Sequence, residues 1–189
     1  MPLSRCGANR AYLVHASSSG CRGQTPRRRR EGSCLAAAFE VVHGTCVALG
    51  QRAALLRGPP GAGKSDLALR FIFLARRGPA ALEPPLLVAD DQVRIRREGS
   101  RLLASAPETI RGKMEVRGVG IVEIKTLAEA ELVLVVDLIS ETDVERMPDP
   151  AAATRLLGLD VPLVGLAPRE PSAPIKLALA LARAKGLAQ

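Results

Sequence analysis

The sequence predicts an α/β domain, and three observations predict it. Gly58-Pro59-Pro60-Gly61-Ala62-Gly63-Lys64-Ser65 has the form G-x-x-x-x-G-K-S. A short apolar run, Ala53-Ala54-Leu55-Leu56, precedes it, and Asp66 to Ile72 follows with helical spacing and strong helix formers. Two further apolar runs, Leu86–Ala89 and Ala130–Leu138, have the length and composition of buried strands. Strand, glycine loop and helix N-terminus in that order make an anion site. The glycines let backbone N–H groups turn inward, the lysine reaches β- and γ-phosphates, and the hydroxyl can ligate Mg²⁺.

In chain order, residues 1–37 carry Ser17-Ser18-Ser19-Gly20 and the run Arg27–Arg30 without apolar periodicity. They read as a disordered basic extension. An arginine-rich, serine-containing start without early acids also has transit-peptide composition; the extension is the reading adopted. Phe39–Leu49 is expected as one strand, pairing as a hairpin with Arg52–Arg57 across the turn Gly50-Gln51-Arg52. The helix after the glycine loop is expected to stop near Gly78-Pro79. Val93–Arg96 and Arg101–Ser105 form a second hairpin about Glu98-Gly99-Ser100. Pro107–Gly112 is a loop or short helix, Met114–Glu123 is extended, and proline-rich turns follow Leu138. Ile175–Lys185 closes the chain as a helix with Gly186 as its stop. There is no internal repeat.

The 189 residues suffice for one core, and 47% hydrophobic content is in the globular range. Aromatic content of 2%, with no Trp, removes the stacking platform that single-strand nucleic-acid binders use. The formal net charge is +8 and the pI about 10.0, but much of the excess sits in the first thirty residues. A nucleic-acid partner is therefore not expected, and neither is a membrane, since no run approaches the roughly 18 apolar residues of a span. Cys6, Cys21, Cys34 and Cys46 form no C-x-x-C pair, which argues against zinc.

Three groups narrow the chemistry. Asp90-Asp91 closes an apolar run, where a phosphate-loop protein holds its metal, and two adjacent carboxylates can divide metal binding from general-base work. Glu115 and Arg117, with Gly118 and Gly120, would face one way in an extended stretch and share a site; alone, they read equally well as an exposed ion pair beside a turn. His43-Gly44 stands on the strand of a hairpin leading into the loop; a lone histidine is more often structural than catalytic, and its position is compatible with an approach to phosphate, no more.

Taken in order, His43-Gly44, the loop Gly58–Ser65, Val88-Ala89-Asp90-Asp91 and Met114-Glu115-Val116-Arg117-Gly118-Val119-Gly120-Ile121 resemble the catalytic domain of HPr kinase/phosphorylase. The last block is similar to that family's E-[IV]-R-G-[LV]-G-I signature. The resemblance runs from about Phe39 to the C-terminus, residues 38–189 forming the catalytic domain, and the length matches the short form of alphaproteobacteria. It implies a phosphate-loop domain with a mixed sheet, related to phosphoenolpyruvate carboxykinase. It implies ATP and Mg²⁺ as cofactors, and transfer of the γ-phosphoryl group to a serine of HPr, the phosphocarrier of the phosphotransferase system. It further implies a cytoplasmic homo-oligomer, hexameric in the family. By position, His43 and Lys64 would be active-site residues, Ser65 and Glu115 would hold Mg²⁺, Asp91 would accept the serine proton beside Asp90, and Arg146 would be a further catalytic arginine.

The chain departs from the family in three places. The link through Gly78 to Pro85 is longer, Lys113 replaces an apolar residue, and Pro174-Ile175-Lys176-Leu177-Ala178 keeps a lysine but loses the Gly-Arg of the phosphorylase segment. Kinase activity is expected, and phosphorylase activity is doubtful. The competing readings are a phosphate-loop kinase of a small metabolite and a non-catalytic ATP sensor. A sensor needs only the loop, not Asp90, Asp91 and Glu115.

Overall fold

The structure, a computed structural model, describes residues 39–74 and 83–184. The expected N-terminal extension, its boundary near residue 37, Gly78-Pro79 and Gly186 lie outside the described residues, as do Cys6, Cys21 and Cys34. In chain order the elements are β1 (Phe39–His43), β2 (Thr45–Leu49), β3 (Arg52–Arg57), α1 (Lys64–Ile72), β4 (Pro85–Ala89), β5 (Gln92–Glu98), β6 (Arg101–Ser105), β7 (Lys113–Val116), β8 (Gly120–Glu123), β9 (Glu129–Leu138), β10 (Ala153–Leu156), β11 (Leu159–Leu166) and α2 (Ala173–Arg183). Among the described residues no helix is long and apolar enough to cross a membrane.

The main sheet is mixed, with the strand order β1-β5-β6-β9-β3-β2-β4, and β11 with β10 added beside β9. β9 is its axis, as its apolar run predicts. It lies parallel to β3, Leu55 opposite Val135, and parallel to β11, Val164 opposite Val136. Its pairing with β3 slips by one residue. Ala53 faces Leu132 and Ala54 faces Leu134, which leaves Val133 as a bulge. Beyond the bulge, the strand's alternate faces serve two cores.

Two junctions shape the sheet. Only Gly44 separates β1 from β2, and only Asp90-Asp91 separates β4 from β5. β1 pairs with β5, His43 opposite Gln92, while β2 pairs with β4, Cys46 opposite Ala89. These are two halves of one antiparallel ladder bent at a corner, where the Gly44 N–H donates to the Asp91 carbonyl at 3.1 Å. One half lies at each end of the strand order, so the sheet curls until its ends meet. The expected single strand over Phe39–Leu49 is therefore two. Sequence pattern could not reveal the break, because the close approach that demands a glycine is tertiary: a Cβ on Gly44 would stand 2.8 Å from the Leu56 carbonyl oxygen.

Inside the curl, Cys46, Leu55, Val93, Ile95, Leu102, Leu132 and Val135 form one core. On the other face, Leu56, Val136 and Leu134 pack beneath α1 and α2 through Leu67, Phe71, Leu177 and Leu181. Burial on both faces explains why β2 and β3 read as continuous apolar runs rather than alternating ones. Phe71 is fully buried and is the largest residue of this layer. Phe71→Ala is expected to lower unfolding free energy by about 3–5 kcal/mol in urea titration. A loss below about 1 kcal/mol would show that α1 is not seated on the sheet as described.

Three expectations need correction. α1 ends at Ile72, with Phe73 as its C-cap, not near Gly78. The Met114–Glu123 stretch is the hairpin β7–β8, Val116 opposite Gly120, so Arg117 lies in its turn and not on the strand face of Glu115. The region read as proline-rich turns holds the β10–β11 hairpin, with Pro162 inside β11 opposite Ala153. A proline within an apolar run demotes it as a strand. Here, from Leu163 onward, β11 rather than the proline makes the ladder to β9. The other elements fall where the sequence puts them, within a few residues, including the β5–β6 hairpin in which Glu98 faces Arg101.

Candidate active site

The ends of β3 and β4, the corner and the β7–β8 hairpin surround a cleft of about 640 Å³. β3 and β4 run the same way, with β2 antiparallel between them. Their carboxyl ends therefore open on the same side, which brings Gly58–Ser65 and Asp90-Asp91 together.

The glycine loop places its lysine through backbone geometry. Gly61 and Gly63 take left-handed φ values of 78° and 95°, and Gly63 is the N-cap of α1. Lys64, the first residue of the helix, is buried, and its Nζ donates to the carbonyls of Gly58 at 2.8 Å and Pro59 at 3.1 Å. Among the described residues no carboxylate pairs with it. A buried ammonium held by neutral carbonyls alone, at a helix N-terminus, favours an incoming anion. At the loop's root, Arg57 grips Asp137 in two hydrogen bonds of 2.8 and 2.9 Å. Asp137 stands one residue before the end of β9, beside β3; its carboxylate is engaged by this arginine, and it does not line the cleft.

The carboxylate that serves the loop comes instead from β4. Asp90, buried at 8% exposure, accepts hydrogen bonds on one oxygen, Oδ1, from the Ser65 hydroxyl at 2.9 Å and the Thr45 hydroxyl at 2.8 Å. Its neighbour has the opposite surroundings. Asp91 is a non-glycine residue at φ 68°, and its side chain is 68% exposed. Its Oδ1 lies 3.2 Å from the Nδ1 of His43, across the corner. A left-handed aspartate costs backbone energy that the bent ladder sustains, and such outliers concentrate at functional sites. The bend gives two adjacent acids different surroundings, one buried against the loop and one exposed beside His43.

The β7–β8 hairpin supplies the facing wall, where Lys113, Glu115 and Arg117 line the cleft without an ion-pair partner among the described residues. Of the predicted residues, the cleft brings together His43, Pro60, Gly61, Gly63, Lys64, Ser65, Asp90, Asp91, Glu115 and Arg117. Gly58, Pro59 and Ala62 belong to the loop but not to the cleft wall. Gly118 and Gly120 shape the hairpin turn at φ 85° and 107° and also stand off the wall. Arg146 is exposed in the segment after Glu141–Asp143, away from the cleft lining. Thr45 is the residue that the sequence reading missed. A lone hydroxyl opening an otherwise apolar strand was its only signal.

The oxygen donors at Ser65, Asp90 and Glu115 suit a hard divalent cation that keeps waters and substrate phosphates in its shell. Among the described residues no cluster of three or more histidine, cysteine or carboxylate ligands exists to form a closed protein cage. Cys46 is buried, which raises its thiol well above the ordinary range and leaves it inert.

Residues 35–178 match the family model described as HPr Serine kinase C-terminal domain. The chain is 33% identical over 139 residues to the HPr kinase/phosphorylase of Prosthecochloris aestuarii, covering 68% of this chain and 38% of that protein. It is 37% identical over 140 residues to the HPr kinase/phosphorylase of Chlorobium luteolum, covering 68% and 40%. It thus spans well under half the length of these curated relatives. Among solved structures, the Hpr(Ser) kinase/phosphatase from Coxiella burnetii superposes with a TM-score of 0.61 at 22% identity, over 76% of this chain and 88% of that one, which is a likeness of fold.

Proposed function

We propose that the chain, which belongs to the family of HPr serine kinase C-terminal domains, transfers the γ-phosphoryl group of ATP to a serine of the phosphocarrier HPr. The observation that carries this reading is the division of labour between the two acids. Asp90 is buried and held against the loop serine, while Asp91 is exposed at the cleft mouth, where a serine hydroxyl would arrive.

The loop N–H groups and Lys64 bind the phosphates and fix the γ-phosphorus. Ser65 and Glu115 would hold Mg²⁺, which would supply charge that neutralises the phosphates. The serine oxygen attacks the γ-phosphorus in line, the bond to the ADP oxygen breaks, and the serine proton passes to Asp91. His43 stands behind Asp91 and orients its carboxylate. Lys113 and Arg117 add positive charge to the open wall. Arg146, outside the cleft lining of the single chain, is assigned a catalytic part only by its position in the family.

The same reading places the enzyme in the cytoplasm as a homo-oligomer, hexameric by family resemblance. Ile175 and Leu179, one turn apart on α2 and about half exposed, support an assembly through that helix.

The reverse reaction, in which inorganic phosphate removes the phosphoryl group and releases pyrophosphate, must hold two anions side by side. Lys176 has no following Gly-Arg and is tied to Glu170, whose carboxyl the ammonium holds below its ordinary range. A lysine so engaged does not replace a free bidentate arginine. We expect a kinase with weak or absent phosphorylase activity. The test incubates the full chain with HPr and γ-labelled Mg·ATP, then measures pyrophosphate release from phosphorylated HPr at saturating inorganic phosphate. Label on HPr with a reverse rate at least tenfold lower is the expected result, tenfold being the effect of about 1.4 kcal/mol. Equal rates would overturn the phosphorylase expectation, and nucleotide binding without label on HPr would leave an ATP sensor.

A further inference from the structure

We propose that Thr45 is a positioning residue for metal-dependent nucleotide binding, acting through Asp90. The proposal rests on the nucleotide site described above but not on the identity of the phosphoryl acceptor. Thr45 opens β2 directly after the corner and is 1% exposed, so its hydroxyl is turned away from bulk solvent. It donates to Asp90 Oδ1 at 2.8 Å, the oxygen that also accepts from Ser65 at 2.9 Å. The main chain at this place is already fixed. The Gly44 N–H holds the Asp91 carbonyl and the Gln92 N–H holds the Asp90 carbonyl, at 3.1 and 2.9 Å. What remains free is rotation of the Asp90 side chain, and the two hydroxyls on one oxygen remove it. Oδ2 accepts no hydrogen bond from the described protein groups.

The same arrangement sets the loop serine. With its proton committed to Asp90, Ser65 Oγ presents lone pairs, and not a hydrogen, to a cation. Thr45 keeps the carboxylate in place to receive that proton. Removing the Thr45 hydroxyl leaves a buried carboxylate with one donor in place of two, and Asp90 is then free to turn away from Ser65. The loop N–H groups and Lys64 are untouched, so the metal-free part of nucleotide affinity stays as it was.

The experiment is calorimetric titration of the full chain with ADP, in excess Mg²⁺ and in EDTA. It compares the wild type with Thr45→Val, which keeps shape, and Thr45→Ser, which keeps the hydroxyl. The expected result is that Thr45→Val cuts the Mg²⁺-dependent gain in affinity by about tenfold, leaves the EDTA value within about twofold, and is rescued by Thr45→Ser. Three results would overturn the proposal. They are an unchanged Mg²⁺-dependent gain in Thr45→Val, a serine variant as impaired as the valine one, and a wild type whose affinity gains nothing from Mg²⁺. If HPr receives no phosphate yet this pattern holds, the acceptor assignment fails and the role of Thr45 stands.

Discussion

Lys64→Ala lowers phosphoryl transfer by about a thousandfold or more, the scale on which a single preorganised charge or donor at a transferring group acts. The loop's other contacts to phosphate are backbone N–H groups, and Lys64 is the one cation that the loop itself carries. Among the described residues it pairs with no carboxylate, so all of its charge is available to the β- and γ-oxygens. Its present partners, the carbonyls of Gly58 and Pro59, belong to the same loop and move with it. The measurement is the initial rate of label transfer at saturating ATP, with circular dichroism to show that the variant is folded. A rate within a few-fold of wild type would place catalysis at some other loop.

Asp91→Asn lowers kcat by about 10²–10⁴-fold, the usual weight of a general base, and changes ADP affinity little. Asparagine is the substitution of choice because it tolerates the left-handed conformation that this position adopts at φ 68°. Alanine would add backbone strain and confuse the result. The carboxylate makes no hydrogen bond to the loop, and its contact is His43 at 3.2 Å. Binding and chemistry should therefore separate. A kcat near that of wild type would remove Asp91 as the proton acceptor and leave His43 to be tested in its place. A parallel fall in ADP affinity would mean that Asp91 serves the nucleotide and not the serine.

The loop, its flanking strand and helix, and the acids after β4 were legible in the sequence because each is local. A glycine pattern, an apolar run and a turn carry their own signals within ten residues. The β5–β6 hairpin was legible for the same reason. What stayed hidden depends on contacts between distant segments. The corner exists because β1 and β2 bend together with β4 and β5, and Gly44 sits against Leu56, a contact that no window of the sequence contains. The helix stop at Ile72 was misplaced because Gly78-Pro79 is the stronger stop signal, and the chain leaves the helix before it. Residues Ala153 to Leu166 were missed because Pro162 masks a strand whose stability comes from β9. Within the site, His43 was predicted near phosphate, but its pairing with Asp91 follows only from the bent ladder. Thr45 lay beneath notice because its partner is 45 residues away. Arg146 rests on position in the resemblance alone; it is exposed and does not line the cleft of the single chain.

The most direct measurement is mass-spectrometric mapping of phosphate on HPr after incubation with the full chain, ATP and Mg²⁺, beside an HPr variant in which the acceptor serine is alanine. The predicted result is one phosphoserine on wild-type HPr, none on the alanine variant, and none on either when Asp91→Asn replaces the wild-type enzyme for the same time. ATP bound but HPr unmodified, or ATP consumed with the phosphate delivered to a small molecule, would contradict the assignment.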